Sequence, residues 1–253
     1  MRIVTYNVNG LRSAMTKGFT EWLKTDPADV ICLQEVKAHR DNVDFQQFEQ
    51  LGYQDYWFPA QKKGYSGVAI LTKIKPDHLQ YGNGYMQSDA EGRVIRADFG
   101  DISIINTYIP SGTTGDERQT YKYQWLDEFY EYLQLLRKER PNLVVVGDYN
   151  IAHMPIDIHN PVANKDSSGY LPEERAWMSK LFDNGFVDSF RQFHPEPDQY
   201  SWWSFRANAR NNNKGWRIDY INVTAPLQDR LANAAIWQDV KHSDHCPVYL
   251  QLK

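Results

Sequence analysis

A chain of 253 residues with 42% hydrophobic and 24% charged side chains can bury a sizeable core, and its composition excludes disordered, collagen-like and coiled-coil architectures. Its 28 basic and 32 acidic side chains give a formal charge of −4, so no molecule-wide basic field exists and any contact with nucleic acid must come from a local patch. Aromatic residues reach 14%, enough to fill a core and still line a groove that stacks on planar ligands.

Met1 leads directly into a strand-like run at Arg2–Tyr6, and Leu11–Lys24 reads as a helix. Further β-branched or apolar runs follow at Val30–Leu33, Gly67–Leu71, Val94–Phe99 and Ile102–Thr107. Arg118 to Arg140 carries one apolar stripe, Trp125, Leu126, Phe129, Leu133 and Leu136, and Pro141 stops it, which predicts a long helix. It delivers the chain into a strand at Leu143–Val146. A second clear helix opens at Pro172-Glu173-Glu174, with proline suited to the first turn and carboxylates facing the positive helix end, and closes at Asn184-Gly185. Strands at Arg217–Val223 and Pro247–Leu252 finish the chain. The pattern is α/β or α+β with mostly buried strands, and without a linker or repeat it predicts one domain over residues 1–253. Cys32 and Cys246 lack the spacing of a metal or redox pair and read as reduced thiols. No apolar run approaches a signal or membrane span, so a cytoplasmic protein is expected.

Acidic and amide residues stand at the ends of several runs: Asn7, Glu35, Asp148 with Asn150, Asp219, and Asp244 with His245. Any one of them could simply cap a helix or close a turn. Side-by-side strands, however, would bring all of them to one rim and line a cleft. Carboxylate and amide oxygens with an imidazole, and no thiolate cluster, suit Mg²⁺ or Mn²⁺ rather than structural zinc.

Seven segments taken in order, Asn7-Val8-Asn9-Gly10-Leu11-Arg12, Leu33-Gln34-Glu35, Gly64-Tyr65-Ser66-Gly67-Val68, Asn106-Thr107-Tyr108-Ile109-Pro110, Gly147-Asp148-Tyr149-Asn150, Gly215-Trp216-Arg217-Ile218-Asp219-Tyr220 and Ser243-Asp244-His245-Cys246-Pro247, resemble the exonuclease III family of apurinic/apyrimidinic (AP) endonucleases. The resemblance runs from end to end. It implies a four-layer sandwich, two packed mixed β-sheets flanked by helices, with a metal site at one end. The activity implied is metal-assisted hydrolysis of duplex DNA 5′ to a site that has lost its base, with 3′-exonuclease or 3′-end-cleaning activity, by a monomer. Glu35 would be the principal metal ligand with Asn7 beside it, Asp148 the base, and Asn150 the amide that orients water. His245, paired with Asp219, would present an imidazolium to the phosphate, with Asp244 as a further metal group and Tyr108 donating its phenol to the developing charge. Asp148, Asn150 and His245 also belong to the expected metal set.

The resemblance also implies a substrate surface. Trp202, Trp216 and Ile218 would wall a pocket for a flipped-out abasic sugar. Arg206 would act as a wedge, and Tyr65, Asn164 and Lys165 would contact the backbone. Between Trp202 and Ile218 stand Arg206, Arg210, Lys214 and Arg217 and no acid, a local charge of +4 that predicts phosphate contacts. Departures from the pattern are Asn9 where some members have aspartate, Ser111 in place of a larger amide, and Met154-Pro155 in place of acids. Two alternatives remain on this reading: a nonspecific nuclease, and a catalytically weak nucleic-acid-binding regulator of the same fold.

Overall fold

Apolar runs that scarcely alternate need cover on both faces, and the structure supplies it. The computed structural model describes residues 1–253. Its strands are β1 (Arg2–Asn7), β2 (Val30–Gln34), β3 (Gln54–Phe58), β4 (Val68–Thr72), β5 (His78–Tyr81), β6 (Val94–Phe99), β7 (Ile102–Tyr108), β8 (Asn142–Asp148), β9 (Phe186–Asp188), β10 (Asp219–Thr224), β11 (Leu231–Ile236) and β12 (Val248–Leu252). The helices are α1 (Leu11–Thr16), α2 (Phe19–Leu23), α3 (Gln46–Glu49), α4 (Met86–Ala90), α5 (Asp116–Glu139) and α6 (Pro172–Asp183).

Six strands form one sheet in the order β11-β12-β1-β2-β4-β3, and six form the other in the order β5-β6-β7-β8-β10-β9. Each sheet has a single parallel pair, β1 with β2 and β7 with β8, and all other neighbours are antiparallel. Between the sheets lies a core that includes Ile3, Val30, Cys32, Val68 and Ile70 from one side and Ile95, Ile104, Val144, Val146 and Ile221 from the other. The outer face of the first sheet is covered through Leu11, Phe19, Leu23 and Phe48 of α1–α3, and that of the second through Trp125, Phe129, Trp177 and Leu181 of α5 and α6. This is the expected four-layer sandwich. No helix is long and apolar enough to cross a membrane.

The expected helix over Leu11–Lys24 is two helices. Gly18 adopts φ +99°, a left-handed conformation that only glycine takes without strain, and the chain turns there. Four strands escaped the sequence reading, β3, β5, β9 and β11, and they are the four outer edges of the two sheets.

The sheets are joined near the ends of β2 and β7 by a buried amide pair. Gln34 Nε2 donates to Asn106 Oδ1 at 2.7 Å, and Asn106 Nδ2 donates back to the carbonyls of Leu33 and Ala69. Beyond this pair the ends of β1, β2 and β8, the start of β10 and the approach to β12 converge.

Candidate active site

Where β1, β2 and β8 end, the backbone turns sharply. Asn9, Glu35 and Asn150 all have left-handed φ angles, 44°, 55° and 52°, conformations that cost non-glycine residues energy and that gather at functional sites. The turns give onto a cleft of about 930 Å³ lined by Asn9, Glu35, Lys37, Tyr108, Asp148, Asn150, Trp202, Trp216, Ile218, Asp244 and His245, among others.

The cleft has a buried corner. His245 Nδ1 lies 2.9 Å from Asp219 Oδ2, and its Nε2 lies 3.8 Å from Asp148 Oδ2. Ser201 Oγ donates to Asp219 Oδ2 at 2.7 Å and accepts the backbone N–H groups of Ile218 and Asp219. Asn7 Nδ2 donates to Asp148 Oδ2 at 2.8 Å, and the Asn150 N–H donates to Asp148 Oδ1 at 2.8 Å. Burial pushes the Asp148 carboxyl up to about 7, with the Asp219 charge adding to the effect and His245 opposing it. Burial alone would lower the His245 value, but Asp219, Asp148 and Asp244 overcome it and raise it to about 10. At neutral pH the corner therefore holds an imidazolium beside a carboxylate poised to accept a proton.

The other half is a more open rim. Glu35 Oε1 pairs with Lys37 Nζ at 2.9 Å, and Lys37 also donates to Asn9 Oδ1 at 2.7 Å. Asn9 Nδ2 donates to Asp244 Oδ1, whose Oδ2 accepts the Trp202 indole N–H at 3.0 Å. The ion pair uses one oxygen of Glu35, leaving the second for a ligand. The donors here are carboxylate and amide oxygens with one imidazole, and neither buried thiol lines the cleft, so the chemistry fits a hard divalent cation. Asp148, Asp219 and His245 bring their ligand atoms within 4.8 Å of one another.

Trp202 and Trp216 pair through their backbones and pack edge to face at 6.0 Å, with Ile218 and Ile158 behind them. A side chain at Gly169 would meet the Trp216 ring at 3.0 Å, so glycine there lets the cleft wall close on the ring. Tyr108 lies under the Arg93 guanidinium at 4.8 Å. Burial, then the charges of Glu35 and Asp148, hold its phenol protonated far above the ordinary range, so it keeps an O–H to donate.

Asn7 donates to Asp148 and accepts the Asn9 N–H, so it orients the Asp148 carboxylate while its Oδ1 keeps a lone pair for the ligand role expected of it. Several expectations need correction. Arg217 is not available to phosphate. It is 1% exposed, and its guanidinium pairs with Asp157 at 2.8 Å and Asp188 at 2.6 Å, acids 60 and 29 positions away that a local charge count does not see. Arg210 likewise donates to the carbonyls of Ser243, Gln238 and Val240 and stacks on Trp203, fastening the loop instead of reaching DNA. Arg206, Lys214 and Lys165 are exposed. The Tyr65 hydroxyl accepts from Arg93 and Arg118, and the Asn164 amide donates to the carbonyls of His159 and Asn160.

Four residues to which the sequence reading gives no functional role shape the site, Lys37 among them read only as a salt-bridge partner of Glu35. Ser201 orients Asp219. Lys37 links Glu35 to Asn9. Lys122, buried against Glu174 at 2.6 Å, donates to the Asn150 carbonyl, while Glu174 accepts the N–H groups of Gly169 and Leu171 in the cleft wall. A lysine inside the apolar stripe of a long helix was the available signal for that pair.

Comparison with known proteins places this geometry. The chain is 43% identical over 252 residues to an exodeoxyribonuclease of Bacillus subtilis, covering 99% of this chain and 98% of that protein. An AP endonuclease from Archaeoglobus fulgidus superposes with a TM-score of 0.90 at 33% identity, covering 100% of this chain and 99% of that one. A Neisseria 3′ phosphatase, solved with a product DNA hairpin, superposes with a TM-score of 0.93 at 29% identity over 100% and 99%. The model of the endonuclease/exonuclease/phosphatase family matches residues 4–245, and the chain belongs to that family.

Proposed function

We propose that this protein is a Mg²⁺- or Mn²⁺-dependent DNA-repair phosphodiesterase that cuts duplex DNA 5′ to abasic sites and trims damaged 3′ ends. The observation that carries the reading is the buried Asp148–His245–Asp219 corner standing beside an apolar wall of Trp202, Trp216 and Ile218 in one cleft. Asp148, held by Asn7 and the Asn150 backbone, takes a proton from the attacking water. The water oxygen bonds to phosphorus as the bond to the 3′ oxygen of the upstream nucleotide breaks. His245, kept charged by Asp219, faces the phosphate, and Tyr108 donates to the oxygens as charge grows on them. Glu35, Asn7, Asp148, Asn150 and Asp244 are the groups in the cleft that would hold the cation; His245, expected in that set, is an imidazolium with no free lone pair and serves the phosphate instead. When bound, the cation neutralises a phosphate oxygen and the leaving oxyanion.

Trp202, Trp216 and Ile218 select a sugar without its base, because an intact base would bring polar edges into an apolar wall at about 1–3 kcal/mol per unsatisfied group. Arg206 acts as the wedge, and Lys214, Lys165 and the Tyr65 hydroxyl contact the backbone around the extruded sugar; both amide N–H groups of Asn164 already serve its own loop, which withdraws it from the phosphate. The enzyme acts as a monomer, in the cytoplasm. A regulator that only binds nucleic acid has no use for the intact catalytic set. The test compares matched duplexes, one with a single abasic analogue, incubated with the protein and Mg²⁺. Cleavage concentrated 5′ to the analogue supports the reading, and equal cleavage of intact internal positions would promote the nonspecific nuclease.

A further inference from the structure

The pocket wall and the carboxylate rim are joined by a continuous line of hydrogen bonds. The Trp202 indole N–H donates to Asp244 at 3.0 Å, Asn9 Nδ2 donates to the other oxygen of Asp244 at 2.9 Å, Lys37 donates to Asn9 Oδ1 at 2.7 Å, and the same ammonium pairs with Glu35 at 2.9 Å. Asn9 can sit only one way in this line. Its carbonyl faces an ammonium and its NH₂ faces a carboxylate, and the reverse would set like against like. An aspartate there would oppose the Asp244 carboxylate, so the asparagine and the indole belong to one arrangement. Tryptophan is the side chain that offers a broad apolar ring with a single donor and no acceptor, and here the ring faces Trp216 while the donor fixes Asp244.

We infer that Trp202 is a positioning residue for the cation site as well as a wall of the sugar pocket: through Asp244, Asn9 and Lys37 its indole N–H fixes the orientation of Glu35. This rests on the reading of Glu35 as a cation ligand. Groups behind a ligand are commonly worth about 10–100-fold in metal affinity, and a contact made through three intermediaries is worth less.

The experiment measures Mn²⁺ binding by electron paramagnetic resonance and, separately, abasic-duplex binding in chelator, for the native protein, Trp202→Phe, Asn9→Ala and the double variant. Phenylalanine keeps the wall and removes only the donor, whereas Asn9→Ala cuts the line at a different residue. The expected result is a 3- to 10-fold weaker Mn²⁺ affinity for each single variant, a double variant no weaker than either within 2-fold, and duplex binding by Asn9→Ala within 2-fold of native. Unchanged Mn²⁺ affinity in Trp202→Phe, losses that multiply in the double variant, or duplex binding by Asn9→Ala that falls as far as its Mn²⁺ binding would each overturn the inference. A native protein that binds no Mn²⁺ would overturn the assignment of Glu35 itself, and this inference with it.

Discussion

The buried corner around His245 and the open loop around Lys214 are both charged, yet they use charge in opposite ways. In the corner, Asp148, Asp219 and His245 are each less than 5% exposed and face one another within hydrogen-bonding or ion-pair distance. Their protonation is set by the protein, and water screens them little. In the loop, Arg206 and Lys214 stand in solvent, where salt weakens each contact. Between these extremes lies Arg217, a loop charge by sequence and a core charge by structure, locked between Asp157 and Asp188. Burial, more than residue type, decides whether a basic side chain does chemistry, binds, or holds the wall in place.

Substitutions can break this contrast. The largest effect on rate belongs to the corner: His245→Asn should lower turnover on an abasic duplex by at least ~100-fold while leaving duplex affinity nearly unchanged, measured by single-turnover cleavage and by binding in chelator. Arg217→Ala should act on folding instead, costing about 3–5 kcal/mol in a denaturant titration because Asp157 and Asp188 lose a buried partner, with no change in the salt dependence of DNA binding. If the salt slope fell, Arg217 would rejoin the phosphate contacts.

The pH profile sharpens the account of the corner. Asp148 must be ionised to act and burial raises its pKa, so activity should rise with pH only above the ordinary aspartate range, and His245 must stay charged, so activity should fall on the alkaline side, above the ordinary histidine range. Because the histidine value is raised above its ordinary 6.5, the stability it contributes is complete below about 6.5 and is lost as pH climbs through about 10. Asp219→Asn should move that alkaline limb down toward the ordinary histidine range, and a limb that stayed in place would remove Asp219 from the account. The smallest effect lies in the loop. Lys214→Ala should weaken binding a few-fold and flatten the plot of log affinity against log salt by roughly one unit.

The sequence carried the buried parts of this contrast better than the exposed ones. Strands such as Val30–Gln34 and Val68–Thr72 are buried along their whole length and appear as unbroken apolar runs. β3 and β5 are partly exposed throughout, so their mixed residues, Gln54-Asp55-Tyr56-Trp57-Phe58 and His78-Leu79-Gln80-Tyr81, carried no clear period. In the site, Asp148, Asn150, Asp219, Asp244 and His245 were legible because they sit at the ends of such runs. What stayed hidden were partners distant in sequence. Asp157 and Asp188 withdraw Arg217 from solvent, three carbonyls claim Arg210, and Lys37 reaches across to Asn9. No local count of charge contains those contacts.

The most direct test sets the two regions side by side on one substrate: single-turnover cleavage rate and duplex affinity for Asp148→Asn and Lys214→Ala with the same abasic duplex. A corner that performs chemistry predicts a rate at least ~100-fold lower with affinity within about 3-fold for Asp148→Asn, and weakened affinity with a nearly native rate at saturation for Lys214→Ala. If Asp148→Asn lost binding in proportion to its rate, Asp148 would be a DNA clamp, and the division of labour between buried corner and open loop would be contradicted.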